Sequence, residues 1–218
     1  MDHYPPSKAA EYRDRHSDSL RARLTTLRER QTLRAALKEA GHPATVLDLP
    51  SGSGRFWPVF AEAGVRELIA ADNSPSMLEI AGEKRISAAI PSQILESSAF
   101  SILLPDDRVE FAACLRFYHH LSLSEDRLRL LSELKRVSSR YVVLSMWVDG
   151  NLGSVRRRRK LPPLAKPGYG PRICQRREDA EQEFRNAGLE VVRSYDIWPY
   201  LQMWRLYLLE HCPASQIV

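Results

Sequence analysis

An apolar run, an acidic residue and two glycines follow one another in the stretch Val46-Leu47-Asp48-Leu49-Pro50-Ser51-Gly52-Ser53-Gly54-Arg55-Phe56. This order predicts a strand, a tight turn and the start of a helix, because glycine lets the backbone turn and approach a ligand closely. The amino terminus of a helix also favours negative charge. A second apolar run ends in Asp72, at the distance expected for a carboxylate that grips ribose hydroxyls. Together the two stretches predict a site for a nucleotide-type cofactor.

The residues around the turn discriminate between cofactors of this type. The dinucleotide fingerprint requires a small residue three positions after the second glycine, and this chain has Trp57 there. Asp48 precedes the glycines, where its carboxylate can meet a positively charged amino group rather than a pyrophosphate. A ligand with an ammonium group, a carboxylate and a ribose fits these features better than NAD does. S-adenosylmethionine is such a ligand.

Three stretches resemble, in order and in spacing, the motifs of class I S-adenosylmethionine-dependent methyltransferases of the type 11 (ubiquinone/menaquinone-biosynthesis-like) branch. They are the glycine turn at Val46–Phe56, the run Asp72-Asn73-Ser74-Pro75-Ser76-Met77-Leu78, and Leu104–Leu121 with its His119-His120 pair. The resemblance extends from about Thr45 to Trp147 and is looser towards the carboxyl end. It implies an enzyme that uses S-adenosyl-L-methionine as its cofactor.

The apolar pattern predicts strands near 44–49, 67–72, 92–97, 109–116, 139–147, 189–197 and 201–210, and helices near 54–64, 75–85, 124–136 and 176–187. Alternating strands and helices form a parallel sheet that is covered on both faces. Only the turn Pro199-Tyr200 separates the last two predicted strands, so they should form an antiparallel hairpin at one edge. We therefore expect an α/β fold: a Rossmann-like, seven-stranded, mostly parallel sheet with a C-terminal antiparallel hairpin and helices on both faces.

We expect two parts along the chain. Residues 1–43 should form an N-terminal helical cap of two helices, the second carrying Leu33 and Leu37 and ending at Gly41. Residues 44–218 should form the S-adenosylmethionine-binding domain. A basic segment rich in proline and glycine, at about 149–172, should be a mobile loop inserted into this domain.

The candidate cofactor-binding residues lie on the first two motifs and after the third and fourth predicted strands: Asp48, Pro50, Gly52, Gly54, Arg55, Asp72, Asn73, Met77, Ser98, Ala99, Phe100, Leu115 and Arg116. Ser98-Ala99 aligns with an Asp-Ala pair that contacts adenine in the type 11 branch. A hydroxyl accepts a hydrogen bond less strongly than a carboxylate, so this departure predicts a modest cofactor affinity.

The candidate catalytic residues follow the fourth predicted strand, where an open α/β sheet has its ligand crevice. Imidazole is the usual base near neutral pH, so His119 and His120 are candidates if the acceptor is a hydroxyl, and Tyr118 is a third. A histidine at this place also serves to cap or pack the strand end, and the sequence leaves both roles open. The aromatic side chains of the terminal hairpin, Trp204 among them, are expected to pack in the core and at the sheet edge.

The candidate substrate residues lie in the basic loop: Arg156, Arg157, Arg158, Arg159 and Tyr169. The planar guanidinium group binds carboxylate or phosphate through two hydrogen bonds, which predicts an anionic acceptor or carrier. The same charges permit peripheral contact with a membrane surface. The alternative is that this charged run is simply exposed to solvent and binds no ligand, as most charged runs do.

Missing motifs exclude several acceptors. Enzymes that methylate amino groups of nucleic acid bases place an Asp/Asn-Pro-Pro-aromatic tetrad after the fourth strand, and this chain has Leu115-Arg116-Phe117-Tyr118 there. No Pro-Cys pair supplies the thiolate for cytosine C5 methylation, and no carboxylate cluster predicts the metal of catechol-type enzymes. What remains is metal-free transfer to a small-molecule, lipid-precursor or carrier-bound acceptor. Two alternatives stay open: a methyltransferase acting on RNA or protein, with nucleic acid the less expected partner, and a non-catalytic cofactor-binding relative.

Composition is typical of an intracellular enzyme. The 218 residues have a hydrophobic fraction of 44% and a formal charge of +5, which suits one α/β domain with a sizeable core. The three cysteines are scattered and lack metal-ligand spacing, so we expect no disulfide framework. We identify no signal peptide or membrane-spanning segment and expect a cytoplasmic protein.

Overall fold

The computed structural model describes residues 20–88, 93–160 and 172–212. In these ranges the strands are β1 (Thr45–Asp48), β2 (Glu67–Asp72), β3 (Gln93–Glu96), β4 (Val109–Cys114), β5 (Ser138–Trp147), β6 (Leu189–Asp196) and β7 (Trp204–His211). The helices are α1 (Leu20–Glu39), α2 (Trp57–Glu62), α3 (Pro75–Ala88), α4 (Ser124–Val137), α5 (Leu152–Lys160) and α6 (Arg177–Asn186), and Tyr118–His120 forms one 3₁₀ turn.

The seven strands form one sheet in the order β3-β2-β1-β4-β5-β7-β6. The five strands from β3 to β5 are parallel, and β7 runs antiparallel between β5 and the edge strand β6. This confirms the predicted fold class. The chain order reverses between β1 and β4, and in open α/β sheets ligands bind at the carboxyl ends of the strands at such a point.

Side chains that alternate along the strands build two cores, one on each face of the sheet. Val46 and Leu68 pack with α1 and α2 on one face, while Leu47 and Ile69 pack with α4 and α6 on the other. The central strands β1, β2 and β4 are buried along most of their length. Burial on both faces explains why they read as nearly continuous apolar runs in the sequence.

The described part of the expected N-terminal cap is helical. In the described residues, α1 is one continuous helix, and its Leu33 and Leu37 are fully buried against β1 and α2. No proline or glycine interrupts this stretch, so nothing in the backbone ends the helix before Glu39. Residues 1–19 of the predicted cap lie outside the described residues.

Three predicted elements differ from those observed. The first helix after the glycine turn begins at Trp57 rather than near 54, because Gly54 has a φ of +69°, which a right-handed helix cannot accommodate. Residues 197–203, rather than a two-residue turn, connect β6 to β7. The segment predicted as a basic loop begins with a helix, α5, which carries Arg156 to Arg159.

Candidate active site

The carboxylate of Asp72, at the end of β2, is hydrogen-bonded to the glycine turn. Its Oδ2 accepts the backbone N–H of Gly52 at 2.8 Å, and its Oδ1 accepts that of Ser74 at 3.0 Å. Gly52 has a φ of +53°, a conformation that costs little only for glycine. A Cβ on Gly54 would lie 2.7 Å from the ring of Trp57, so this second glycine is also required by packing. The turn thus brings two predicted cofactor residues, Gly52 and Asp72, into direct contact.

Asp48, at the end of β1, is buried with an unsatisfied oxygen. Its Oδ2 has no hydrogen-bond partner. Burial raises the pKa of this carboxyl to about 7, against the opposing effect of hydrogen bonds from Ser51 and Trp57. A buried carboxylate without a cation is costly, so the site suits a ligand that brings a positive charge. The ammonium group of S-adenosylmethionine meets this requirement.

The loop after β3 supplies the candidate adenine contacts. The backbone N–H of Phe100 binds the hydroxyl of Ser98 at 3.2 Å, so that hydroxyl already accepts one hydrogen bond. The ring of Phe100 lies 6.2 Å from that of Phe117, which follows β4. The remaining predicted cofactor residues line the same edge of the sheet: Pro50 after the cis peptide bond of the glycine turn, Asn73 exposed after β2, and Met77, Ala99 and Leu115 buried.

Helix α1 contributes a buried residue that the sequence analysis missed. Glu29 is 5% exposed, and its carboxylate lies 3.3 Å from Nη2 of Arg55 and 3.1 Å from Nε of Arg116. Arg116 has a φ of +61°, a strained value for a residue with a side chain. Its backbone N–H donates to the hydroxyl of Ser145 at 2.7 Å. The two predicted cofactor residues Arg55 and Arg116 are therefore joined by one carboxylate from the N-terminal helix.

The two histidines occupy different environments at the end of β4. His119 is 2% exposed and stacks at 4.7 Å on Trp147 of β5, with the ring of Trp204 edge-on at the same distance. Its neighbour His120 is half-buried. Trp147 and Trp204 are register partners in the β5–β7 pair. His119 thus lies beside Trp147 and beside Trp204, a side chain of the terminal hairpin that we had expected to pack in the core and at the sheet edge.

Three arginines surround these rings, and only one of them comes from the predicted basic run. The guanidinium of Arg116 lies 5.0 Å from the ring centroid of Trp204, and those of Arg157 and Arg172 lie 4.8 and 5.4 Å from that of Trp147. We call His119, His120, Trp147, Trp204, Arg116, Arg157 and Arg172 the aromatic–arginine cluster. Of the other predicted substrate residues, Tyr169 lies outside the described residues, and three arginines of α5 are exposed: Arg156, Arg158 and Arg159.

Several polar atoms of the aromatic–arginine cluster are buried without partners. They are Nδ1 of His119, Nε1 of Trp147, and Nε and Nη1 of Arg116, the Nε atom lying near Glu29 without hydrogen-bond geometry. Burial, together with His120 and the three arginines, lowers the pKa of His119 to about 2. Burial and two of these arginines lower the pKa of His120 to about 4. Both imidazoles are therefore neutral at physiological pH.

The structure places Tyr118 away from this cluster. Its side chain is fully buried in the core against α4 and α6, and its hydroxyl donates to Oε2 of Glu183 at 2.6 Å. Burial and the neighbouring carboxylate raise the pKa of the phenol. Arg127 donates to the same carboxylate at 2.8 Å, which completes a buried polar network. We therefore remove Tyr118 from the candidate bases.

Two further findings concern the described residues alone. No three of their His, Cys, Asp and Glu side chains are arranged to hold a metal ion. None of their helices combines the length and the apolar character needed to cross a membrane.

Comparison with known proteins bears on the identity of the fold and the site. Residues 47–143 match the family model described as a methyltransferase domain, of type 11. No curated protein matches the chain by sequence. Many solved structures match it by fold.

Three of these structures illustrate the likeness. Magnesium protoporphyrin IX methyltransferase from Synechocystis PCC 6803, solved with bound SAH, is 17% identical, with a TM-score of 0.73 and 94% of each chain covered. A SAM-dependent methyltransferase from Aquifex aeolicus is 23% identical, with a TM-score of 0.65 over 96% of this chain and 100% of its own. The 1,6-didemethyltoxoflavin-N1-methyltransferase of Burkholderia thailandensis is 18% identical, with a TM-score of 0.67 over 95% of this chain and 85% of its own.

The matched residues contain the glycine turn, Asp48, Asp72 and the His119-His120 pair, and the whole described sheet has the order of this fold. Residues 47–143 therefore match a type 11 methyltransferase domain, and the chain has the fold of S-adenosylmethionine-dependent methyltransferases.

Proposed function

We propose that this enzyme methylates a small anionic acceptor, free, lipid-like or bound to a carrier, in the crevice beside His119 and His120. The observation that carries the proposal is the aromatic–arginine cluster. Within the described ranges, neither Arg157 nor Arg172 has a carboxylate within ion-pair distance, although each lies over Trp147. Guanidinium groups held over an aromatic ring without a counter-ion favour the binding of an oxyanion.

The cofactor residues are proposed from the geometry of the crevice. Asp48 would meet the ammonium group, Asp72 the ribose, and the loop from Ser98 to Phe100 the adenine. When bound, S-adenosylmethionine supplies an electrophilic methyl group. The chain contributes by fixing the acceptor atom close to that group, and correct positioning alone supplies a large part of the rate acceleration in such displacements.

Two observations support a small acceptor and an intracellular site. The similar enzymes from Synechocystis and Burkholderia are named for magnesium protoporphyrin IX and 1,6-didemethyltoxoflavin, which are small molecules. The three cysteines of this chain are unpaired, which fits the reducing cytoplasm that we propose as its location.

The test is methyl transfer from labelled S-adenosylmethionine into a fractionated cell extract. We expect label in an anionic small-molecule or lipid fraction, and loss of that label when Arg157 and Arg172 are both changed to Gln. Arg66→Gln is the matched control, because Arg66 is exposed at the start of β2, at the opposite end of the strands. Label in the RNA fraction, or label on the side chains of a protein rather than on a small molecule attached to a carrier, would contradict the proposal.

A further inference from the structure

Three elements at the carboxyl edge of the sheet expose large apolar side chains to solvent. They are the first half of α1, the connection 197–203 between β6 and β7, and α5. Tyr200 is 84% exposed and Leu201 is 56% exposed. Exposed apolar residues that lie together mark an interaction surface, whereas scattered ones are ordinary. We call the following residues the apolar rim: Leu20, Leu24, Leu27, Leu152, Val155, Tyr200 and Leu201.

Contacts between the three elements join the apolar rim into one surface. The backbone N–H of Leu152 donates to the carbonyl of Tyr200 at 3.0 Å, which holds the start of α5 against the connection. In α1, Nε of Arg28 donates to the carbonyl of Ile197 at 3.4 Å, and its guanidinium lies 5.4 Å from the ring centroid of Trp198. The exposed residues therefore belong to a single packed structure and are not isolated surface side chains.

Helix α5 turns an apolar and basic side towards solvent. This side carries four exposed residues spaced i, i+3, i+4 and i+7, namely Leu152, Val155, Arg156 and Arg159. Ser154, on the opposite side of the helix, is buried. A surface helix normally turns its apolar residues to the core. The orientation of α5 leaves them available to a partner outside the protein.

Positive charge accompanies the apolar rim. The stretches 20–28, 152–160 and 197–203 contain no Asp or Glu. Arg156, Arg158 and Arg159 are exposed on α5. Apolar side chains beside arginines are typical of proteins that lie on anionic membranes, where the apolar groups enter the acyl region and the arginines attract the lipid phosphates. An acidic protein would match the charge but would not account for the exposed leucines.

A polar cavity of about 250 Å³ opens beside the apolar rim, and its lining includes Gly150, Tyr200, Gln202, Arg177 and Arg205. Arg205 is paired with Asp196, which also lines the cavity, at 2.7 and 2.8 Å. Arg177 is exposed at the start of α6. The neighbouring Glu178 and Asp179 lie outside the lining. The guanidinium of Arg177 therefore suits a phosphate group that enters the cavity from the membrane side.

We propose that the apolar rim docks on an anionic phospholipid bilayer, with the phosphate of one lipid head group bound beside Arg177 in the cavity. On docking, the exposed leucines leave water, and the arginines of α5 lie at the level of the phosphates. The crevice at the carboxyl edge of the sheet then opens towards the membrane. Such a peripheral contact requires no spanning helix. The proposal concerns where the enzyme works and is independent of the identity of the acceptor.

The first test is sedimentation of the full chain with vesicles, without any methyl acceptor. One set of vesicles contains phosphatidylcholine alone, and the other also contains phosphatidylglycerol. We expect binding at least about tenfold tighter to the anionic vesicles, because several arginines contribute, and we expect it to weaken as salt is added. Equal binding to the two sets, or no binding to either, would overturn the proposal whatever the outcome of the methyl-transfer experiment.

A matched pair of variants tests the apolar contribution. Leu201→Ser should weaken binding to the anionic vesicles about tenfold, because a leucine side chain no longer leaves water. Leu103→Ser is the control: Leu103 is 67% exposed but lies in the loop between β3 and β4, so its loss should have no effect. Both variants should keep the circular dichroism spectrum of the original chain. Equal binding of the two would indicate a purely electrostatic contact, as with an acidic protein, and would overturn the proposal.

A second pair tests the cavity. Arg177→Gln should weaken binding to the anionic vesicles about fivefold, the effect of one arginine at an anionic surface. Arg176→Gln, which changes an exposed arginine that does not line the cavity, should have a clearly smaller effect. Equal effects of the two changes would overturn the assignment of the cavity to a lipid head group.

Discussion

Oε1 of Glu29 lies 3.1 Å from Nε of Arg116, which joins the N-terminal helix to the crevice at the end of β4. In the same helix, Nη2 of Arg30 donates a hydrogen bond to the backbone carbonyl of Arg55 at 3.3 Å. Both contacts cross the edge of the sheet at which the glycine turn lies. Helix α1 therefore shapes the cofactor site, although its sequence carries no cofactor motif.

We expect Glu29→Gln to lower the free energy of unfolding by about 2–4 kcal/mol, because it leaves buried positive charge without its partner. The measurement is urea denaturation of the cofactor-free enzyme. Glu62→Gln is the control, because Glu62 pairs with Arg34 on the surface, and its loss should cost less than about 1 kcal/mol. Equal effects of the two changes would show that the Glu29 pair is not buried in solution.

We expect Gly52→Ala to weaken S-adenosylmethionine binding at least about tenfold, equivalent to about 1.4 kcal/mol. The added methyl group would protrude from the turn whose N–H binds Asp72. Gly64→Ala is the matched control, because Gly64 also has a positive φ, +81°, with open space around its Cβ position, but lies after α2. Both changes should cost similar backbone strain. Equal cofactor affinity of the two variants, measured by calorimetry, would argue against Gly52 as a cofactor residue.

The cofactor turn could be predicted because its signals are local. Two glycines with positive φ, an acidic residue at each strand end and alternating strands and helices occur within short windows of sequence. The neighbouring strands β1 and β2 then bring Gly52 and Asp72 together. A local pattern and one parallel pairing are enough to specify this half of the site.

The aromatic–arginine cluster could not be predicted in this way. Trp147 and Trp204 are 57 positions apart in the chain and meet only through the register of β5 and β7. Arg172 reaches Trp147 because the backbone N–H of the next residue, Ile173, donates to the carbonyl of His119 at 2.7 Å. Glu29 stands among arginines in a charged helix, a pattern that is typical of a solvated face. Its burial depends on how α1 packs.

We expect Tyr118→Phe to leave the rate of methyl transfer unchanged and to lower the free energy of unfolding by about 1–2 kcal/mol. The reason is that its hydroxyl serves the buried network with Glu183 and Arg127. The measurements are thermal or urea denaturation and the turnover of the folded variant. A loss of turnover of about a hundredfold or more, the effect of removing a general base, would return Tyr118 to the catalytic site.

We expect the affinity for S-adenosylmethionine to fall as the pH is lowered through about 7, the pKa to which burial raises the carboxyl of Asp48. The ammonium group of the ligand needs the ionised carboxylate, so each pH unit below this pKa should cost about tenfold in affinity, or about 1.4 kcal/mol.

The stability of the cofactor-free enzyme should change with pH in the opposite direction to its affinity for the ligand. The raised pKa means that the unfolded chain ionises first, so stability should fall as the pH rises from about 4 to about 7.

Asp48→Asn supplies the control for both effects. This variant should bind S-adenosylmethionine weakly, with the pH dependence removed, because its amide does not titrate. It should also be more stable than the original chain at pH values above the raised pKa of Asp48, since it buries no charge. Calorimetric titrations and urea denaturation across a pH series measure the two quantities. A binding curve of the original chain that stays flat through neutral pH would show that protonation of Asp48 does not limit binding in this range and would contradict the expected pH dependence.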